Sequence, residues 1–563
     1  MYRRLPILMA LALALAGLGA GAPAAIGQQR PVLRMAFPFE DGSLTPYTFA
    51  NGYGLMTLVY DTLSWRDRDG VAQPWLARSI RRQGGGREIA VTLRSGVRWQ
   101  DGKPLTAADV AFTFGYMKTH PHPRFTPQLR ELASVRATGR LTVVFALRTA
   151  ALGFEDQPLA DVPILPRHLW QDLPAGRLAP EGPPVGSGPY RLERHVAGHR
   201  YRFVANRRYF RGAPRVDRID VPIVRDRDAS LLALQEGRLD MASLQVPAGT
   251  TPELTPAVSY SRTDAYTATM LAFNLTRAPF DRPQARRAVA AALDLALIAG
   301  SATGPGRQLP AVRGMLHPRS PWAGTEILQR ADPAAARVAF SEQGIGTFTV
   351  AAPAEDPVRL EAARRVVGAL RDVGGAARLR SLPGAAFTRA TGADGSTGAD
   401  FDAAIVGSPA LASYDPAFLR VVFGSGSQAA LNDGGYRSER FELLADRADR
   451  AGTVPARRRA VQRELRLLAT DLPAVPLFFG GLTFAYTPAS YDGWVDVRGS
   501  GILDKRSFLR GAGSTAAAAA AVAVRDPADT EGGGQISLVP FIVVVALILL
   551  AGFGLALRRG RRS

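Results

Sequence analysis

No cysteine occurs among the 563 residues of this chain. Disulfide bonds, a thiol nucleophile and an N-terminal lipid attached through a lipobox cysteine are therefore excluded. The chain also lacks the His-Glu-x-x-His pair that seats a catalytic zinc and the Gly-x-Ser-x-Gly elbow of a serine hydrolase. No two carboxylates are spaced so that sequence alone sets them side by side. Ser425 and Ser427 sit in a glycine loop with no assigned base, a poor setting for a nucleophile. Acidic charge is in short supply as well: 49 Asp and Glu against 69 Lys and Arg give a formal charge of +20. Setting aside Arg3, Arg4 and the four arginines at the end leaves +14. That excess is spread along the chain as arginine, without a basic arm or a stacking-aromatic motif. Such a spread argues for a basic surface beside an anionic envelope and against nucleic acid.

Two apolar stretches carry targeting information. In residues 1–27, Arg3 and Arg4 precede an apolar run from Leu5 to Leu18 and small residues near Ala22-Pro23-Ala24, the pattern of a secretory signal peptide cleaved after Ala24 or Gly27. The run is short for a membrane span. Leu538 to Leu557 is twenty residues without a charge, so a transmembrane helix is expected over 536–557. Arg558, Arg559, Arg561 and Arg562 follow in the tail 558–563 and place that end in the cytoplasm. Residues 511–535 read as an Ala/Gly-rich linker, whose reach when flexible is about 25–30 Å. The expected address is extracytoplasmic, periplasmic or cell-surface, with anchoring in the cytoplasmic membrane by the C-terminal helix.

Between these ends the pattern alternates strands and helices, the mark of an α/β protein. Ile89, Val91 and Leu93 alternate with polar neighbours as one buried strand face. Ser95-Gly96 and Asp101-Gly102 are turns, and Thr106 with Asp109 forms a capping-box start. Val110, Phe114 and Met117 then give the apolar face of a helix. Tyr190–Glu193 and Tyr201–Val204 predict a hairpin across Gly198. Short helices are expected from Pro163, over Ser230–Glu236, over Tyr436–Leu444 and over Pro455–Leu468, and a longer one over Val358–Val373. The Gly/Ser/Thr/Asp-rich stretch from Thr391 to Asp400 reads as a loop. His195 and His199 flank the hairpin turn with no acidic third ligand nearby. They, and His120 and His122, read as surface residues rather than metal ligands.

The order Leu93-Arg94-x-Gly96-Val97-x-Trp99-x-Asp101-Gly102-x-Pro104-Leu105-Thr106-Ala107-x-Asp109-Val110-x-Phe112 resembles the signature of the family 5 extracytoplasmic solute-binding proteins, the peptide-, nickel- and opine-type receptors of ABC importers. Val185-Gly186-Ser187-Gly188-Pro189-Tyr190 is similar to a second marker of that family. Val59-Tyr60-Asp61, Pro74-Trp75-Leu76-Ala77, Leu239-Asp240-Met241-Ala242 and Pro473-Ala474-Val475-Pro476-Leu477 extend the resemblance over most of Val32 to Asp504. A phosphate-cradle reading of the Gly186–Gly188 loop fails, because no P-loop lysine follows and a hairpin stands where a helix belongs.

The resemblance implies a two-lobed periplasmic-binding-protein-like fold of class II, in its large form with an extra subdomain. Lobe I is expected over 28–272 with an insertion at about 66–184, lobe II over 273–477, and a return to lobe I over 478–510. It implies a substrate-binding receptor, not an enzyme, with no cofactor and no metal. The partners would be a peptide or small polar ligand and the importer's permease subunits. A surface sensing or binding protein on the same fold without an importer stays open beside it. Ser413, Tyr414 and Asp415 lie in what corresponds to the family's ligand-facing loop, with Tyr47, Tyr53 and Phe273 as further candidates from the first lobe and the hinge. In the family's peptide receptors an aspartate four residues before the loop's proline holds the peptide α-amino group. Counting back from Pro416, this chain has Ala412 there, with Asp415 as the alternative under a shifted alignment. A ligand not held by a free α-amino group is the resulting expectation.

Overall fold

The computed structural model describes residues 32–38, 40, 42–49, 53–174, 176–244, 258–303, 309–392, 399–408, 410–425 and 431–509. The expected signal peptide, linker, transmembrane helix and basic tail lie outside the described residues, as does most of the Thr391–Asp400 loop. Among the described residues no helix is long and apolar enough to cross a membrane.

The opening sequence signature folds by its local rules. Strand Glu88–Leu93 buries Ile89, Val91 and Leu93 and leaves the alternating residues half-buried. It pairs antiparallel with Ala77–Gln83 and Thr142–Leu147 in a four-stranded sheet. Helix Ala107–Thr119 follows, and the Asp109 carboxylate accepts the Thr106 N–H at 2.8 Å, tying down its first turn. Its Val110, Phe114 and Met117 are fully buried, and the Phe114 ring meets Phe145 edge-on at 4.9 Å. The Gly186–Gly188 marker is a packing site. A Cβ on either glycine would run into the backbone of Leu58 to Tyr60, and the Gly188 N–H donates to the Val59 carbonyl at 2.8 Å.

Beside that close approach lies a wholly buried polar hub. The Asp61 carboxylate accepts hydrogen bonds from Trp75 Nε1 at 2.9 Å, the Tyr209 hydroxyl at 3.0 Å and the Ser187 hydroxyl at 3.1 Å. Lys505 Nζ pairs with it at 2.7 Å and is also wholly buried. One side chain thereby joins the Tyr60-Asp61 marker, the glycine marker and the end of the described chain.

A single large sheet runs through the molecule. From one edge it takes strands Ala377–Leu382, Phe348–Pro353 and Ala403–Ser408, then the long strands Ser259–Phe273 and Ala474–Tyr486. It continues through Met241–Leu244, Val32–Ala36, Arg218–Pro222, Arg200–Ala205 and Tyr190–Val196. The hydrophobic interior is divided. One core gathers residues between Leu33 and Met241 together with Phe484 to Phe508. Two others draw on residues between Met270 and Phe478. Phe273 and Phe478, where the sequence places the lobe exchanges, both belong to the second interior. The chain passes between the lobes on the two long antiparallel strands. Their pairing is interrupted between Asp264/Gly481 and Ala268/Phe479, so a bulge marks the crossing point.

Three expectations change. The helix expected from Tyr436 is Glu439–Asp449, because Ser438 caps it through Phe441 N–H. The helix expected from Pro163 is one turn, Arg167–Trp170. His122 is not a surface residue: it stacks on Phe49 and Phe125 with ring centroids 5.8 and 4.6 Å away, and burial pushes its imidazole down to about 4. Only His120 of that pair is exposed, stacked on Tyr116 at the edge of the aromatic cluster with ring centroids 3.8 Å apart.

Helices Glu439–Asp449 and Val454–Asp471 pack as an antiparallel hairpin. Glu464 on the second is buried, and its Oε1 has no hydrogen-bond partner among the described residues. Burial and the nearby Asp449 charge push its carboxyl well above the ordinary value, against the pull of Arg420 and Arg457. The folded state therefore holds this proton to higher pH than the unfolded chain does. Stability is lost as pH rises from the unfolded carboxyl value toward the folded one. Glu464→Gln removes that loss. Thermal melts are expected to show no gain at pH 4 and a gain that grows toward pH 8; a gain independent of pH would refute this account.

Candidate ligand-binding cleft

Two adjoining cavities of about 610 and 470 Å³ lie at the crossing point of the long strands. Both are lined by Tyr53, Trp65, Thr267, Gly407, Gly499, Ser500 and Asp504, so they are parts of one cleft. The first lobe contributes Tyr53, Trp65, Arg66, Arg124, Asp161 and Asp504. The second contributes Ser408, Leu411, Tyr414 and, in the larger part, Asp356 and Arg359. The floor is the bulge itself, with Ala265, Thr267 and Ala268 facing Gly480 and Gly481 of the neighbouring strand.

Tyr414 spans the cleft. Its hydroxyl donates to the Arg498 carbonyl at 3.1 Å, and the Arg66 guanidinium lies 3.8 Å from its ring centroid. Arg66 is aimed by backbone and amide acceptors, Gly70 O at 3.2 Å and Gln157 Oε1 at 2.7 Å. No described carboxylate forms an ion pair with it; its charge draws the Asp156 carboxyl down against burial, and it lines the cleft. Gly499, at φ +81°, leaves the room that the Tyr414 hydroxyl occupies; a Cβ there would overlap it. On the first-lobe wall Tyr53 donates to the Asp161 carbonyl at 2.8 Å, and the Arg124 guanidinium stands 4.0 Å over its ring. Arg124 clasps Asp161 through both oxygens, at 2.6 and 3.0 Å. Burial pushes the Asp161 carboxyl up, but the Arg124 charge and the Arg124 and Gln128 hydrogen bonds outweigh it and hold it below the ordinary value. Asp504 accepts from Trp65 Nε1 at 3.1 Å and from the Arg506 N–H at 2.8 Å. Burial nevertheless holds its carboxyl above the ordinary value.

The wall is thus aromatic, carries both signs of charge and includes Ser408, Ser500 and Thr267. No histidine is among its described lining residues. Such a lining can stack, pair and hydrogen-bond a polar solute.

Of the six candidate residues, Tyr53 and Tyr414 line the cleft. Phe273 is wholly buried, 4.6 Å from Phe280 in the second lobe's core. Ser413 is buried behind the loop, where its hydroxyl accepts the His317 N–H at 3.0 Å. Tyr47 donates to the His120 carbonyl at 2.8 Å within the aromatic cluster of Tyr116, His122 and Trp170. Asp415 is buried, ion-paired with Arg457, and accepts the Ala417 N–H at 3.0 Å. It borders a cavity of only about 60 Å³ between residues 127–158 and the second lobe. Ala412 is buried in that lobe's core. Arg66, Arg124, Asp161 and Asp504 were not anticipated. Asp161 is 37 residues from Arg124, and no local spacing announces such a pair.

The profile of the bacterial extracellular solute-binding proteins, family 5 middle, matches residues 71–430. Protein XP55 of Streptomyces lividans is 32% identical over 349 residues, 57% of this chain and 61% of that protein. The oligopeptide-binding protein AppA of Bacillus subtilis is 31% identical over 196 residues, 34% of this chain and 36% of AppA. The chain therefore matches less than two thirds of the length of either curated relative. Among solved structures, B. subtilis AppA in complex with a nonapeptide superposes with a TM-score of 0.71 at 22% identity, covering 82% of this chain and 95% of that one. The binding protein AgaA of A. tumefaciens R10 in complex with agropinic acid gives 0.73 at 19% identity, covering 85% and 97%. These structural likenesses establish the two-lobed α/β periplasmic-binding-protein-like fold. Since the profile match runs from the first lobe along the crossing strand Ser259–Phe273 and into the loop that carries Tyr414, the chain belongs to the bacterial extracellular solute-binding proteins of family 5.

Proposed function

We propose that this chain is the solute receptor of an ABC importer, closing its two lobes on a peptide or other small polar solute and presenting it to the permease. The observation that carries this reading is the cleft at the crossing strands, walled by both lobes and spanned by Tyr414. Ligand favours the closed arrangement only through its extra contacts there, which Arg66, Tyr414 and Asp504 are placed to supply. The extracytoplasmic address and the anchoring by a C-terminal helix belong to the same reading. Small-angle scattering on the purified chain tests it: a bound solute is expected to reduce the radius of gyration. A solute panel that binds without compaction would count against the receptor reading.

The same reading bears on the ligand's amino end. Ala412 offers no charge, and Asp415 is already neutralised by Arg457 and pinned by the Ala417 N–H. A buried ammonium needs a free carboxylate, and this loop has none to give. A free nonapeptide and its N-acetylated form are therefore expected to bind within about threefold of each other by calorimetry, a difference of about 0.7 kcal/mol. Tight binding of the free form alone, lost on acetylation and on Asp415→Ala, would reverse the inference.

A further inference from the structure

A third cavity, of about 270 Å³, opens within the second lobe. Arg359 and Gly407 line both it and the larger part of the cleft, so it is a side chamber of that cleft. Its walls are mostly apolar, formed by Met270, Leu275, Phe387, Val406, Val422 and Tyr436. The polar groups in those walls are satisfied locally. Asn432 donates to the carbonyls of Gly424 and Tyr436 at 2.6 and 2.7 Å and accepts the Tyr436 N–H at 2.9 Å. The hydroxyls of Thr388 and Thr391 donate to carbonyls one turn back, at 2.9 and 3.0 Å.

Asp433 is the exception. Asp433 lines the chamber, and its carboxylate accepts no hydrogen bond from a described residue and forms no ion pair with one. Burial pushes it up to about 6, and no described cation pulls it back. The other titratable side chains lining the chamber, among the described residues, are Arg359 and Tyr436. Arg359 is held by Asp356 at 2.6 Å, and the Tyr436 phenol donates to Asp471 at 2.6 Å. At neutral pH an uncompensated carboxylate therefore faces an apolar chamber that communicates with the ligand cleft. Desolvating such a charge is unfavourable unless a counter-charge arrives with whatever fills the space.

We propose that the chamber receives a positively charged apolar arm of the solute, an ammonium or guanidinium on a short hydrocarbon chain, with Asp433 as its counter-ion. The proposal rests on the reading of the cleft as the solute site and narrows its ligands to cationic amphipathic solutes. It fits a ligand whose charge is carried on a side arm and not on an α-amino group in the Ser413–Pro416 loop. The apolar walls select the chain, and the carboxylate selects its end.

Ligand-observed NMR on the full chain, with hexylammonium and 1-hexanol as probes, separates the two contributions. Hexylammonium is expected to bind at pH 7.5 and about tenfold more weakly at pH 5.0, where a carboxyl that titrates near 6 is about one-tenth ionised. Asp433→Asn should weaken it at least tenfold at pH 7.5 and abolish the pH dependence. Hexanol needs the chamber but not the charge, so equal binding to both proteins shows that the variant is folded. Equal affinity of hexylammonium for the two proteins, or no binding at all, overturns the proposal. Neither probe reaches across both lobes, so that failure leaves the receptor reading intact. The receptor reading falls instead if no solute compacts the chain.

Discussion

Lys505→Met is expected to lower the free energy of unfolding by about 3–5 kcal/mol, the usual consequence of stripping one partner from a buried ion pair. Lys505 and Asp61 are both wholly buried, 2.7 Å apart. Burial pushes the Lys505 ammonium down from its ordinary value, against the upward pull of Asp61. Its Nζ also donates to the Tyr60 carbonyl at 3.3 Å and lies 4.0 Å over the Trp65 ring. Without it Asp61 keeps three neutral donors, from Trp75, Tyr209 and Ser187, and loses its cation. The double variant Asp61→Asn with Lys505→Met should recover part of the loss, because no unpaired charge then remains inside. Denaturant titration reads both effects as a shift in midpoint at constant slope. A loss below about 1 kcal/mol for the single variant would mean that the pair is not neutralising a buried charge.

Gly153→Ala is expected to lower solute affinity about 100-fold or more while leaving stability within about 0.5 kcal/mol. Gly153 belongs to the first lobe, yet a Cβ on it would overlap the Asp415 carboxylate of the second, lying 2.6 Å from its Cγ and 2.8 Å from Arg457 Nη1. Asp415 cannot step aside, since Arg457 and the Ala417 N–H hold it. The methyl group thus forbids this approach of the lobes without touching the cavity where solute binds. Neither lobe's own core is disturbed, so the penalty falls on the equilibrium between open and closed arrangements. Calorimetry with any solute found to compact the chain provides the readout. Unchanged affinity would show that closure does not require contact between residues 127–158 and the Asp415 loop.

The scaffold was legible wherever its cause is local. The strand at Glu88–Leu93, the capped helix at Ala107–Thr119 and the hairpin around Gly198 follow from alternation, capping and turn residues that lie within a dozen positions of one another. The cleft was legible only in part. Tyr414 could be reached through the loop that resembles the family's, but its partners Arg66 and Arg498 lie far away in sequence. Asp504 shares its wall with Tyr53 because the chain returns to the first lobe some 450 residues later. Asp415 looked available because a sequence shows an aspartate and not the arginine that neutralises it. His122 looked exposed for the same reason: the rings that enclose it come from residues 47–49 and 125.

The interrupted pairing on the crossing strands has a mechanical meaning. A continuous antiparallel ribbon is stiff against bending within the sheet plane and softer in twist. Here the register breaks at residues 265–267, opposite Gly480, and shifts again between Thr269 and Met270, opposite Leu477, while the ladder is regular before and after this segment. Compliance is concentrated in one short segment, which acts as a torsional flexure while the sheet on either side stays rigid. Because that flexure is also the floor of the cleft, a solute seated on it applies its torque at the pivot itself.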